Sequence, residues 1–418
     1  MTGSMYASVA GLRAHMQKLT VIGNNVANVN TTAYKKQRTM FRDSMYTMFS
    51  SGSNGSESVG GMNPSQLGYG SLVASIDLDM STSTYNPGNP MDCAIVGDGF
   101  FVVGTKDQQS IIDPTNPESF KSLTLTRNGD FRFGPDGYLV DGQGQVVYGF
   151  VNVNDGVDGE GKPTISDQLV PIRLPKMEKA VVDKDTGTVV QPDENGEYDD
   201  AIMDDEGNLT EDYEWSYTIH YAVDQTAGEG DEVTKVPLDD YWPPVEEGQA
   251  RPEKNPLAYA EMSSISIDKK TGCISGMTRD TGEKVVIGYL AMGVVTNPNG
   301  VSHTGSSYYR CDAGAGDMRI TMLGGVNKEL GITNVNGSLW RSQTQGADGE
   351  NPATLPQLSE VTSAGKDVSL LTGFLEAPNV DLATEITELI TTQRGYQANT
   401  RIVTVTDSML EELVNMKR

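Results

Sequence analysis

Apolar residues recur at two different periods along this chain, and the change of period divides it. Near the N-terminus, Met5, Val9, Leu12, Met16, Leu19, Gly23 and Val26 follow one another at alternating steps of four and three. That is the one-sided stripe of an α-helix carried through about three heptads. Near the C-terminus, Leu375, Leu382, Leu389, Tyr396, Val403 and Leu410 stand seven apart, and Ile386, Ile390, Ile402, Leu413 and Val414 widen the stripe. Asp381 follows Pro378 and Asn379. Aspartate caps helices by accepting from the free N–H groups of the first turn, so the pattern predicts a helix over 381–416. At ~1.5 Å per residue such a helix is about 54 Å long, well beyond the average globular helix. The second stripe also carries polar members, Gln393, Thr400 and Asp407. Long helices at the two ends of a chain, with no local core beside them, must pair with each other or with other subunits.

Between the ends the period falls to two. "AIVGDGFFVVG" (94–104) reads as two short apolar runs around a Gly-Asp-Gly turn. "SLTLTRNGDFRFGPDGYLVDGQGQVVYGF" (122–150) reads as a meander with tight turns at Asn128-Gly129, Asp136-Gly137 and Asp141-Gly142. "ISIDKKTGCISGMTRDTGEKVVIGYLAMGVV" (265–295) repeats the style, with turns at Thr271-Gly272 and Thr281-Gly282. The Gly/Ser/Asn-rich stretch 50–70 and the stretch 346–356 read as extended connectors. The predicted fold class is mixed: long terminal α-helices forming a coiled-coil-like inner domain, plus β-rich parts discontinuous in sequence.

Charge adds a further division. The 418 residues carry a formal net charge of −26. Residues 151–260 hold 27 Asp plus Glu against 8 Lys plus Arg, a net of −19, so this block carries most of it. Such a block reads as a separate, solvated domain inserted in the β part. A surface this acidic argues against nucleic acid and against an anionic membrane as partners. No run of about 18 apolar residues exists, so no membrane-spanning helix is expected. The N-terminus lacks a basic start followed by a solid apolar block, so a cleaved secretory signal is not expected, and by that test alone the chain looks cytoplasmic.

No constellation for catalysis emerges. Cys93, Cys273 and Cys311 have no metal spacing and are too odd in number to pair within one chain, so they read as small buried hydrophobes. His15, His220 and His303 are too scattered for a zinc site. The acidic stretches 183–187, 193–200 and 204–208 lack the spacing and distal Glu of a calcium loop. "GDGFFVVG" has no following Lys-Ser/Thr and is no phosphate loop, and "RNGDF" reads as a hairpin turn. No catalytic residue, metal or cofactor is expected, and the chain reads as a non-enzyme.

Four stretches, taken together, resemble one family. "MYASVAGLRAHMQKLTVIGNNVANVNTTAYKKQR" resembles the N-terminal signature of bacterial flagellar rod and hook proteins. "GFLEAPNVDLATEITELITTQRGYQANTRIVTVTDSMLEELVNMKR" resembles its C-terminal partner, and "NPMDCAIVGDGFFVV" and "LTRNGDFRFGPDGYLV" resemble its central blocks. One departure is Ala33, where the family pattern has Gly; Ala pays a steric penalty at positive φ. The long insertion after "QVVYGF" is similar to the hook members rather than the short rod members.

The resemblance implies a subunit in three layers: an inner tube from 1–30 and 372–418, a connector from 31–70 and 359–371, a β-rich middle domain from 71–150 and 284–358, and an acidic β-rich outer insert from 151–283. It implies self-assembly into a helical homopolymer that serves as a curved, torque-transmitting tube. The implied partners are a distal rod protein, a hook cap protein, a hook–filament junction protein and the flagellar export apparatus. It also implies an extracellular destination reached by type III export. The assembly seam expected on this reading is Met5, Val9, Leu12, Met16, Leu19, Val26, Leu382, Leu389, Tyr396, Val403 and Leu410. The first helix is expected to run through Asn24 and Asn25 to about Asn28, with Asn30, Thr31 and Thr32 ending it and Tyr34 anchoring the connector. Asn24, Asn25, Asn28 and Asn30 are then expected to form a hydrogen-bonding corner between subunits.

Overall fold

A computed structural model describes residues 2–55, 60–81, 83–105, 123–157, 163–165, 169–187, 189–190, 202, 209–210, 212–220, 258–312, 314–316, 318–323, 340–341 and 368–416. Two calcium-loop-like stretches, 193–200 and 204–208, and the connector stretch 346–356 lie outside these residues. The described chain is β-rich, with one long helix at each end. It divides into two compact units. The first is Met1–Thr84, Pro298–Val301 and Ala377–Arg418; the second is Tyr85–Asn297 and Ser302–Glu376.

The first unit contains both helices. Helix α1 spans Thr2–Ala27 and helix α2 spans Leu382–Met416. α1 ends by tightening into i→i−3 turns, with the Val29 N–H donating to Val26 O at 3.4 Å and the Thr31 N–H to Asn28 O at 3.0 Å, while Asn28 Nδ2 also donates to the Asn24 carbonyl at 2.9 Å. α2 starts as its N-cap predicts. Asp381 Oδ1 accepts from the Ala383 N–H at 3.1 Å and Oδ2 from the Thr384 hydroxyl at 2.6 Å. Leu375 shares the heptad spacing by coincidence. It lies in the strand Phe374–Glu376, paired with Tyr85–Pro87 in the second unit.

The stretch read as a connector contains strands. β1 (Gln37–Asp43), β2 (Tyr46–Ser50), β3 (Ser65–Gly68) and β4 (Ser71–Leu78) pair as β1 with β4 and β2 with β3, both antiparallel. Ser44 N–H donates to Gly70 O at 2.8 Å and Tyr69 N–H to Met45 O at 3.0 Å, joining the two pairs into one long two-stranded hairpin. The Gly/Ser-rich composition belongs to its end loop, while the arms carry β-formers such as Thr39, Phe41, Tyr46, Val73 and Ile76. The hairpin lies along α1. Gly70, at φ +102°, comes so close that a Cβ there would sit 2.8 Å from the Ala7 carbonyl oxygen.

In the second unit, Phe100–Gly104 pairs with Thr124–Thr126, Val146–Val157 and Lys284–Val295. Ile95, Phe101, Val103, Phe131, Leu139, Val147, Ile274 and Leu290 are buried in its core. The turns at 271–272 and 281–282 join consecutive antiparallel strands as their dipeptides predict, with Gly272 and Gly282 at positive φ. Two expected hairpins are absent. Cys93–Val96 pairs with Ser369–Thr372, not with Phe100–Gly104. Asn128-Gly129 joins strands that pair elsewhere, Thr124–Thr126 with 101–103 and Phe131–Phe133 with 139–141. Gly129 is pinned instead to Cys93, whose N–H donates to its carbonyl at 2.9 Å. Arg127 beside it turns inward (below).

Within the acidic block, Lys176–Asp183 pairs with Tyr213–His220, Val189–Val190 and Ala258–Tyr259 as a small separate sheet. Its ends meet where Ala260 N–H donates to Pro175 O at 3.0 Å. Met262–Ile267 and Cys273–Thr278 belong to the larger sheet.

Candidate functional site

The sequence directs attention to the terminal helices, and these pack side by side, antiparallel. A Cβ on Gly11 would lie 2.9 Å from Asn399 Nδ2, and one on Gly395 would lie 3.0 Å from the His15 ring. Further along, Lys18 Nζ pairs with Glu388 at 3.0 Å, and Asn25 Nδ2 donates to Glu385 Oε2 at 3.2 Å. The Gly11–Asn399, His15–Gly395 and Asn25–Glu385 contacts share one register, each step along α1 matched by an equal step back along α2, and the long Lys18 side chain reaches across to Glu388 one turn away.

The faces in contact are not the apolar stripes. On α1 they are Gly11, His15, Lys18 and Asn25, with buried Ser8 and Ile22 at the same spacing. That set runs one position ahead of Met5, Val9, Leu12, Met16, Leu19 and Val26, which is a rotation of about 100° around the helix. Met5 and Met16 are exposed, and Val9, Leu12, Leu19 and Val26 are half-buried. On α2 the polar residues facing inward are Glu385, Thr392, Asn399 and Thr406, strictly seven apart. They are the neighbours of Gln393 and Asp407, which are exposed, and of Thr400. Leu389, Tyr396, Val403 and Leu410 are half-buried beside this polar row, and Leu382 is 41% exposed. Ile386, Ile390, Ile402, Val405, Met409, Leu413 and Val414 face solvent. Hydropathy could not find the inner row because its members are small or polar; its regular spacing of seven was the available signal.

The asparagine-rich end of α1 forms a corner. Asn25 is buried and uses its whole side chain: Oδ1 accepts from the Tyr34 hydroxyl at 3.1 Å and the Gln37 N–H at 3.0 Å. Its Nδ2 donates to Gln37 O at 2.9 Å and to Glu385 Oε2 at 3.2 Å. Asn24 Nδ2 donates to the Tyr34 hydroxyl at 3.3 Å, and Asn28 Nδ2 to Asn24 Oδ1 at 3.0 Å. Two donors and two acceptors are all an amide has, and all four bonds lie inside the chain. Asn30 is exposed. Tyr34 is the buried anchor of the segment. Burial and the nearby Glu385 carboxylate raise its pKa, so the hydroxyl stays a donor. Ala33 is fully buried at φ +57°.

The segment after the corner is held as firmly. Lys35 is buried and its Nζ donates to Ser81 O at 2.8 Å. Asn379 Oδ1 accepts from the Lys36 N–H at 2.7 Å, while its Nδ2 donates to Asp79 O at 2.7 Å. Asn379 stands two residues before the cap of α2, so this bond ties the start of one helix to the end of the other. His15 has a lowered pKa, from burial first and the Lys18 cation second. Among the described residues, no group of three or more His, Cys, Asp or Glu could hold a metal ion, and no helix is long and apolar enough to cross a membrane. The arrangement offers a helix pair with exposed apolar residues along α2.

Known proteins share these two ends. Residues 5–35 match the family described as "Flagella basal body rod protein", and residues 371–416 that described as "Flagellar basal body rod FlgEFG protein C-terminal". The flagellar basal-body rod protein FlgG of Bacillus subtilis is 27% identical over 100% of both chains. The flagellar hook protein FlgE of Borreliella burgdorferi is 26% identical over 100% of both, and that of Salmonella typhimurium 26% identical over 99% of this chain and 100% of its own. The solved flagellar hook protein FlgE2 of Helicobacter pylori aligns with 61% of this chain and 98% of its own at 12% identity, with a TM-score of 0.28.

Proposed function

We propose that this chain, which belongs to the flagellar basal-body rod and hook family, is the structural subunit of the flagellar hook. In this role it assembles with copies of itself into the curved tube that passes torque from rod to filament and encloses the export channel. The observation that carries the reading is the uncovered stripe on α2. Ile386, Ile390, Ile402, Val405 and Leu413 are each more than two-fifths exposed on a helix whose inner face is already satisfied by polar residues. Burying an apolar side chain is worth ~1.5–3 kcal/mol, so such a stripe favours association. Contacts that do not close on themselves build a helical polymer rather than a ring. The seam residues Met5, Val9, Leu12, Met16, Leu19, Val26, Leu382, Leu389, Tyr396, Val403 and Leu410 then contribute to packing among copies, in the manner of a coiled coil. A distal rod protein, a cap protein, a hook–filament junction protein and the export apparatus are the partners of such a subunit, and its place is the hook, outside the cell after type III export. The three-layer division fits this role, with the acidic block outermost, where like charges keep neighbouring subunits loosely packed as the tube bends.

Electron microscopy of the purified full-length chain at rising concentration tests this. Tubes are expected, and Ile390→Asp with Ile402→Asp should abolish them while leaving the helical circular dichroism of the chain unchanged. Tubes that persist in that variant would defeat the role given to the stripe. A distal rod subunit is the second reading, favoured by the match to FlgG over the whole of both chains. Tomography of cells carrying a tagged copy separates the two: the tag lies beyond the outer boundary of the basal body for a hook, and within it for a rod.

A further inference from the structure

The geometry points to a register lock between α1 and α2, made of two reciprocal notches: the His15 ring of α1 seats on Gly395 of α2, and the Asn399 side chain of α2 seats on Gly11 of α1. The register it sets decides which residues of the uncovered stripe are presented together to a neighbouring copy. That consequence rests on the assembly reading above; the lock itself does not.

The two notches mirror one another. On α1 the knob residue His15 follows the notch residue Gly11 by four, and on α2 the knob residue Asn399 follows the notch residue Gly395 by four, in the same sense along the sequence. Residues four apart lie on one face of a helix, so each helix presents one hole and one knob to the other, and antiparallel packing brings each knob to the opposite hole. Both holes are tight against an added side chain. A Cβ on Gly395 would meet His15 Cε1 and Nε2 at 3.0 Å each, and a Cβ on Gly11 would meet Asn399 Nδ2 at 2.9 Å. The Phe41 ring of β1 lies 5.9 Å from the imidazole, centroid to centroid.

The inward row of α2, Glu385, Thr392, Asn399 and Thr406, also repeats every seven residues, so by spacing alone a slip of one heptad restores much of the same contact. The glycines break that degeneracy. A slip of seven residues brings His15 to position 388 or 402, a Glu or an Ile, in place of Gly395. The same slip takes Asn399 to position 4 or 18, a Ser or a Lys, in place of Gly11. The buried Asn25–Glu385 bond holds the same register, while the partly exposed Lys18–Glu388 pair tolerates displacement.

The lock has a test whose sign opposes helix propensity. Alanine is a better interior helix residue than glycine, so Gly11→Ala and Gly395→Ala should stabilise these helices if no notch is present. With the lock, each instead lowers the thermal midpoint of the full-length chain, followed by circular dichroism at a helical wavelength, by several degrees. Rescue must be paired. His15→Ala restores the midpoint of Gly395→Ala but not of Gly11→Ala, and Asn399→Ala restores that of Gly11→Ala but not of Gly395→Ala. A rise in midpoint for either glycine variant, or rescue that ignores the pairing, would overturn the proposal. Wild-type chain that fails to form tubes while the paired rescue holds would count against the assembly reading alone.

Discussion

The Arg127 guanidinium and the Glu376 carboxylate stand 249 residues apart in the chain and 2.8 Å apart in space, both side chains fully buried. The remaining guanidinium protons go to the carbonyls of Ile95, Gly97 and Gly99. One side chain thus fastens the loop after Cys93–Val96, the strand Thr124–Thr126 and the last strand of the unit. Arg127→Met leaves Glu376 buried without its cation and should cost about 3–5 kcal/mol. Denaturant unfolding checks it, and a loss under about 1 kcal/mol, typical of exposed pairs, would show that water replaces the arginine.

Asn25→Ala should unsettle the corner rather than the helix. Alanine is the better helix residue, yet the Tyr34 hydroxyl, both backbone groups of Gln37 and the Glu385 carboxylate each lose a buried partner. A buried polar group left unsatisfied costs ~1–3 kcal/mol, so the net change is a loss of stability. The expected signature is faster amide exchange across 28–37, and unchanged exchange there would refute it.

Ala33→Gly should stabilise the chain. At φ +57° a Cβ is strained, and glycine is not. Against this, glycine gains freedom in the unfolded chain worth ~0.4–1 kcal/mol, so the net gain is about 0.5 kcal/mol. A small rise in thermal midpoint is the expected reading. A fall would mean that packing around the buried methyl outweighs backbone strain.

Acid should fray the start of α2. The Thr384 hydroxyl, then the Ala383 N–H, hold the Asp381 carboxyl below its ordinary value of 3.8. A depressed pKa means the folded form prefers the charged carboxylate. Its contribution is therefore complete above the unfolded value and is lost as pH falls through the lower folded value. Asp381→Asn keeps a capping oxygen and removes the charge. Exchange in the first turn of α2 should accelerate below pH ~4 in the wild type and lose that dependence in the variant; equal acid sensitivity in both would place its cause elsewhere.

The small acidic sheet should be removable. Pro175 and Ala260 are already joined by a hydrogen bond of 3.0 Å, so excising 176–259 and closing the gap with a short Gly/Ser linker adds little closure entropy. The shortened chain should still form tubes, with altered curvature or stiffness. Failure to assemble would give the block a place in the polymer contact itself.

Much of the helical frame was legible before folding. The pattern places the end of α1 and both ends of α2 to within about a residue, because a heptad repeat and an aspartate cap act over one or two turns. The hairpins closed at Gly272 and Gly282 were equally local, since left-handed backbone favours glycine whatever surrounds it. Two other turn-like regions misled because one strand beside each pairs with a distant partner: Cys93–Val96 beside Gly97 with Ser369–Thr372, and Thr124–Thr126 beside Gly129 with 101–103 and 308–309. The hairpin of β1 to β4 was hidden because its loop dominates the local composition.

Which helical face meets which was decided only in three dimensions. Hydropathy counts apolar residues, and the helix pair leaves the apolar stripes half-buried or exposed. The inner faces are built from Gly11, His15, Asn25, Glu385, Thr392 and Asn399, residues that are buried or half-buried because their shapes and hydrogen bonds are matched. Asn25 and Glu385 are 360 residues apart. Nothing within one turn of either names the other, so a polar contact of that kind exists only once the chain has brought its ends together.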